Sequence, residues 1–210
     1  MKLIIIGPPG AGKGTQAKFI KEQLAIPHIS TGEIFRDNIE KQTPLGIEVK
    51  SILASGDLVP DEVTIAIAKN RLKEEDAQNG FLLDGFPRNV SQAEALDAEV
   101  GVELVLNLVL EDDVVVQRLS GRRVCECGSF FNINIPYMNP KVEGICDQCG
   151  KHLIQREDDN EVTIRNRLKV FHEQIAPVID HYKMKGKVKD IDGDNTPDVV
   201  SKLILKALEE

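Results

Sequence analysis

Apolar residues along the chain fall into two patterns: short continuous runs, and longer stretches spaced three or four apart. Lys2–Ile6 is a run of the first kind, β-branched in its middle, and predicts a strand buried on both faces. Phe81–Asp84, 104–110 and 188–191 are further buried-strand candidates. Helical spacing begins after a glycine-rich stretch, over 15–24, and recurs over 61–73, 91–97 and 112–119. Thr196-Pro197 has the form of an N-cap followed by proline at the first helical position, and predicts a last helix through Leu208. Strands alternating with helices predict an α/β fold, a mainly parallel sheet with helices on both faces.

Two stretches break the alternation. Residues 30–59 read as helix, turn (Thr43-Pro44-Leu45-Gly46) and helix, with no buried strand. Residues 121–159 open on Gly121-Arg122-Arg123, contain every cysteine and are rich in turns. Both read as insertions. The core is then 1–29, 60–120 and 160–210, with one insert over 30–59 and a second over 121–159.

Composition narrows the classes of function. Over 210 residues, 26 Lys and Arg face 34 Asp and Glu, a formal net charge of −8. That balance argues against a general nucleic-acid or anionic-membrane binder, which carries a basic face. The absence of Trp, with only 2 Tyr and 7 Phe, leaves little for stacking bases. The first apolar run is too short for a signal peptide, and 104–110 falls far short of the ~20 residues that span a bilayer. The expected location is the cytoplasm, where clustered cysteines indicate a metal before disulfides.

Gly7-Pro8-Pro9-Gly10-Ala11-Gly12-Lys13-Gly14-Thr15 fits G-x-x-x-x-G-K between a predicted strand and a predicted helix. Glycines let backbone N–H groups converge on phosphate oxygens, the helix N-terminus adds its dipole, and Lys13 reaches the outer phosphates. A glycine-rich turn that binds nothing would not need all of these parts. One position departs from the pattern: Gly14 takes the Ser/Thr slot and Thr15 follows one residue later. The guanine-reading Asn-Lys-x-Asp of Ras-like GTPases is absent.

Five further motifs follow the loop in order: Ser30-Thr31-Gly32, Gly56-Asp57-Leu58-Val59-Pro60, Asp84-Gly85-Phe86-Pro87-Arg88, Gly121-Arg122-Arg123 and Arg156-Glu157-Asp158-Asp159. Over about residues 1–208 this set resembles the bacterial adenylate kinases, of the long-lid kind with a metal-binding insert. The resemblance implies a P-loop NTPase-type core, a helical insert for the nucleoside monophosphate over 30–59, and a lid over 121–159. It implies AMP contacts at Thr31, Arg36, Asp57, Leu58, Val59, Gly85, Phe86, Pro87, Arg88, Gln92, Arg156 and Arg167. ATP contacts would fall on Gly10, Ala11, Gly12, Lys13, Gly14, Thr15, Arg118, Arg122, Phe130, Phe131 and Asn195. Lys13, Asp84, Arg88, Arg122, Arg156 and Arg167 would carry the chemistry, Asp84 by orienting a Mg²⁺ shell through water.

Arginine usage supports this independently. Nine of the 26 basic residues are Arg, and Arg36, Arg88, Arg118, Arg122, Arg156 and Arg167 fall on the family's phosphate-contacting positions. Arg suits bidentate grip on phosphate where Lys does not. The implied reaction is reversible transfer of the terminal phosphoryl of MgATP to AMP, giving two ADP, by a monomer whose partners are ATP, AMP and ADP. Other readings are a UMP/CMP-type kinase, which usually has a short lid, and a zinc-ribbon binding module with incidental ATPase activity.

Cys125, Cys127, Cys146 and Cys149 are expected to hold one structural Zn²⁺, since thiolate-rich tetrahedral sites favour zinc. Cys146-Asp147-Gln148-Cys149-Gly150 has the standard two-residue spacing, whereas Cys125-Glu126-Cys127-Gly128 is one residue short. If that shortening displaces Cys125 or Cys127, His152 or Asp147 is the substitute ligand.

Overall fold

The structure, a computed structural model, describes residues 1–209. Its strands are β1 (Lys2–Ile6), β2 (His28–Ser30), β3 (Phe81–Asp84), β4 (Leu104–Val109), β5 (Arg122–Val124), β6 (Phe130–Asn132) and β7 (Val188–Asp192). All but β5 and β6 form one parallel sheet in the order β2-β3-β1-β4-β7. The helices are α1 (Lys13–Leu24), α2 (Thr31–Glu40), α3 (Pro44–Ser55), α4 (Asp61–Leu72) and α5 (Val90–Glu99). After them come α6 (Asp112–Gly121), α7 (Glu161–Val170), α8 (Ala176–Lys183) and α9 (Pro197–Glu209).

The two-residue side-chain period of a strand sends alternate residues to opposite faces. Leu3 and Ile5 join Leu82, Leu106 and Leu108 against apolar residues of α1, α6, α7 and α9. Ile4 and Ile6 join Phe81, Leu83 and Val105 against those of α4, α5 and α8. Both faces are covered, which is why the strands read as unbroken apolar runs.

Residues 30–59 gather a small apolar cluster that they share with Val63 and Ile67 of α4, and the cysteine-containing segment gathers a second. α2 and α3 enclose Phe35, Val49 and Val59. They approach so closely that a Cβ on Gly46 would stand 2.1 Å from the Asn38 carbonyl oxygen. β5 and β6 pair antiparallel, and Val124 bridges to Ile154 to close the lid's small sheet. Among the described residues, no helix is long and apolar enough to cross a membrane.

Several elements differ from the pattern reading. α1 starts at Lys13, not Thr15, because Gly12 in the left-handed region already turns the chain into the helix. The expected turn 43–46 is the start of α3: the Thr43 hydroxyl accepts the Gly46 N–H at 3.0 Å and Pro44 takes the first helical position. β2 was missed, being three residues long and recognisable only from its pairing with β3. Residues 160–187 hold α7, a π-helical turn over Phe171–Ile175, and α8. Their buried Ile164, Leu168, Phe171, Val178 and Tyr182 were a helical signal in plain view.

Candidate active site

The chain's connections diverge at the C-terminal end of β1: β2 lies on one side, beyond β3, and β4 on the other. Ligands of open parallel sheets collect in the crevice outside such a point. The loop after β1 occupies it. Gly7 has φ +152°, and a Cβ there would lie 2.6 Å from the Leu108 carbonyl oxygen, so glycine alone lets the loop pass this close to β4. Gly12, at φ 90°, caps α1, and no side chain caps the helix. Its first-turn N–H groups and positive dipole end are therefore open to an anion.

Lys13 curls back over this loop, its Nζ donating to the Gly7 and Pro8 carbonyls at 2.8 and 2.9 Å. Burial pushes its pKa down to about 8; Asp84 opposes the fall, while Arg88, Arg167 and Arg122 add to it. A cation this uncomfortable gains from any phosphate placed beside it. Burial also raises the Asp84 carboxyl, but the His28 hydrogen bond, Lys13 and Arg88 outweigh it and hold Asp84 below its ordinary range. His28 Nε2 lies 3.4 Å from Asp84 Oδ2.

Thr31 and Arg88 are drawn together by one acceptor, the Gly85 carbonyl, which takes the Thr31 hydroxyl at 2.8 Å and Arg88 Nε at 2.7 Å. Gln92 is buried and fully oriented. Its Oε1 accepts the Arg88 N–H at 2.8 Å and its Nε2 donates to Asp61 Oδ1 at 2.7 Å. Across the cleft, Arg122 forms a two-pronged pair with Asp159, at 2.7 and 2.6 Å, and the Asp159 side chain is inaccessible to solvent. Arg167 pairs with Asp158 at 2.9 Å. Burial is the first cause of a lowered pKa at Arg156, to about 10, and the nearby Arg122 and Arg36 add to it. Arg118 is steadied by Asp194 at 3.2 Å. Asp57 is exposed, accepting from Ser55 Oγ at 2.8 Å and Asn166 Nδ2 at 3.0 Å.

These groups line one cleft of about 290 Å³. Gly10, Ala11, Gly12, Lys13, Gly14 and Thr15 form its floor, and Arg36, Asp57, Leu58, Asp84, Gly85, Pro87 and Arg88 one wall. Arg118, Arg122, Phe130, Phe131, Arg156, Arg167 and Asn195 form the other. Thr31, Val59 and Gln92 line a narrow side slot shared with Leu58, Gly85 and Arg88. Phe86 is the exception among the expected contacts. Its side chain is 2 % exposed within the sheet's apolar core, and it lines neither the cleft nor the slot. The pattern reading missed His28, Asp61, Asp158 and Asp159, the groups that aim the others. Asp158 and Asp159 stood inside a motif already singled out.

The four cysteine sulfurs lie within 4.8 Å of one another. Cys125 Sγ is 3.4 Å from Cys149 Sγ, and Cys127 Sγ is 3.6 Å from Cys146 Sγ. A tetrahedral ion with bonds of about 2.3 Å needs sulfurs about 3.8 Å apart, so the shortened first pair still fits. Hydrogen bonds with the Ser129 side chain and backbone draw the Cys127 thiol down to about 6, while, against the Cys127 backbone hydrogen bond, burial and the neighbouring sulfurs push Cys125 up to about 12, so the thiols titrate as one cluster. Asp147 is engaged elsewhere, accepting the Lys141 N–H at 2.9 Å, and His152 sits outside the cluster on a strand bridge with Ile145.

The sequence model described as "Adenylate kinase" matches residues 5–187. The chain belongs to the adenylate kinase family. It is 52% identical to the adenylate kinase of Streptomyces coelicolor, over 100% of this chain and 99% of that one. Identity to the adenylate kinase of Caldicellulosiruptor saccharolyticus is 50%, over 99% of both chains. With that of Clostridium botulinum (strain Loch Maree) it is 51%, over 95% of this chain and 94% of the other. Membership carries phosphoryl transfer from ATP to AMP, with Mg²⁺ accompanying ATP.

Proposed function

We propose that the cleft holds ATP and AMP end to end, with the transferring phosphoryl between Lys13 on the floor and Arg88, Arg122, Arg156 and Arg167 on the walls. The observation that supports this most is the convergence of those cations from elements far apart in sequence, Arg88 aimed by the Gly85 carbonyl, Arg122 and Arg167 by carboxylates, and Arg156 lying 5.8 Å from the Phe130 ring centre. The first-turn N–H groups of Gly14 and Thr15 and the glycines before them suit the donor's phosphates. Arg118, Phe130, Phe131 and Asn195 enclose its ribose and base. Arg36 and Arg88 suit the acceptor's phosphate, while Thr31, Val59 and Gln92 border the slot proposed for its base. Gln92 has one N–H and one lone pair left over from its fixed bonds, a donor and an acceptor for an adenine edge.

The acceptor phosphate has a second pKa near ~6 and needs no general base. The residues act by placing two anions in line and spreading positive charge over the group in transit. Asp84, kept ionised beside Lys13, is the carboxylate suited to the water shell of Mg²⁺, which when bound neutralises charge on the outer phosphates. Arg122 and Arg156 stand on the two chain segments that enter and leave the lid, so lid movement brings or removes both. Closure also excludes water, the competing acceptor.

Zn²⁺ is the ion proposed for Cys125, Cys127, Cys146 and Cys149, as a closed four-sulfur clasp with no open position. The proposed setting is the cytoplasm, where such thiols stay reduced. The acting unit proposed is a monomer. The test follows ADP formation from MgATP with AMP, CMP, UMP or GMP as acceptor. AMP should be used far best. Equal use of CMP or UMP would move the chain to the pyrimidine kinases, and phosphate release without an acceptor would make it an ATPase.

A further inference from the structure

Gln16 follows the phosphate loop by one residue and is only 2 % exposed on α1. It faces α9, where the packing is otherwise apolar: Ala17 and Ile20 on one side, Val200 and Ile204 on the other. An amide in such an interface costs stability unless both its ends are bonded. Both are. Nε2 donates to the Pro197 carbonyl at 3.0 Å, and Oε1 stands 2.9 Å from the Ser201 hydroxyl, whose one proton it shares with that same carbonyl, also at 2.9 Å. These partners lie 181 and 185 residues away, in the first turns of α9.

That end of α9 is also part of the cleft: Asn195, Pro197 and Val200 line the side where the donor's base is proposed to lie. Apolar packing alone would let α9 slide against α1, whereas two directed bonds from one rigid amide fix its distance from the loop. We infer that Gln16 is a positioning residue for the donor nucleotide, holding the base wall at a set distance from the phosphate grip. Gln16 also borders the cleft, and with its amide spent on α9 it thereby sets ATP affinity and the choice of donor base through the wall it holds. The inference rests on the donor lying along the α1–α9 side of the cleft.

The test compares wild type with Gln16→Met, close in volume but without either bond, and with Ser201→Ala, which removes one bond and is expected to fold normally. Gln16→Met should raise KM for ATP about tenfold and narrow the preference for ATP over GTP, with KM for AMP changed less than about twofold. Ser201→Ala should raise KM for ATP alone, by about two- to threefold. Competition by tripolyphosphate, which has no base, should be the same in all three proteins. KM values for ATP and AMP that rise together, or a folded Ser201→Ala with unaltered KM for ATP, would overturn the inference. Weakened tripolyphosphate binding would also overturn it, by placing the damage in the loop. If wild type itself made no ADP from ATP and AMP, the proposed function would fall instead.

Discussion

Around the parallel sheet, Leu3, Ile5 and Leu106 on one face and Ile4, Leu83 and Val105 on the other are almost wholly buried. In the segment expected as the lid, residues 121–159, the buried apolar side chains are Cys125, Phe131 and Cys146, with Leu153 half-buried against them. Two of those three are metal-ligand candidates. The sheet is therefore held by the removal of apolar area from water, roughly 25 cal/mol per Å². The lid has too little such area, and the zinc proposed for its four sulfurs would supply a crosslink in its place. The difference matches their tasks. The core must hold Lys13 and Asp84 in place against their own desolvation, whereas the lid, on the closing motion proposed for it, would have to keep its shape while moving.

The sharpest way to break the core side is Lys13→Met. Turnover should fall about 100-fold or more, because a phosphate-facing charge is lost from a loop otherwise built of backbone donors. Near-normal turnover would refute the assignment of the loop. Next, Arg88→Ala should lower kcat/KM for AMP by about tenfold or more, from the loss of a charge-assisted contact, while ATP binding measured alone changes far less. Equal loss for both nucleotides would contradict the role given to Arg88.

The lid side breaks differently. Removing the metal under thiol-reactive conditions should lower Tm by about 5 °C or more and raise protease sensitivity within 121–159 first. Elemental analysis should find zinc in protein made with zinc available. Metal content near zero, or an unchanged Tm after stripping, would mean that packing alone holds the lid.

A smaller effect separates stability from catalysis in the core. The folded pKa of Lys13, about 8, lies below its ordinary 10.5, so the unfolded chain binds the extra proton between those values. The contribution of Lys13 to stability is then least below pH 8 and grows as pH rises toward 10.5. Chemical denaturation of the nucleotide-free protein against pH should show this component, and Lys13→Met should remove it. The smallest effect concerns the joint between the two regions. Lys18, on α1, donates to the Gly128 carbonyl in the first cysteine turn and lies 5.2 Å from the Phe130 ring centre. Because the side chain is exposed, Lys18→Gln should change kcat by less than about threefold. A larger change would mean that the lid's resting position is set from the core.

How much was legible follows from where each cause lies in the chain. The Lys2–Ile6 strand, the glycine loop and the start of α1 are adjacent in sequence, and their pattern was read almost as it stands. The choice of Arg at positions 36, 88, 122, 156 and 167 was also visible, because a side chain's chemistry is a local property. So was the cysteine set, although only the folded lid showed that the shortened first pair keeps both sulfurs within reach and leaves His152 and Asp147 aside.

What the amino-acid order by itself determined is thus the class of fold, the phosphate loop, the cationic side chains and the cysteine donors. Each is caused by a periodicity, a glycine or a residue type within a few positions. Tertiary structure alone decided which partners hold those groups. Asp159 lies beneath Arg122 at 37 residues' separation, His28 beside Asp84 at 56, and Ser201 against Gln16 at 185. It also turned Phe86 into the core while its neighbours border the cleft. No short window carries that information, because a hydrogen bond between distant residues exists only once the sheet order has brought its two ends within about 3 Å.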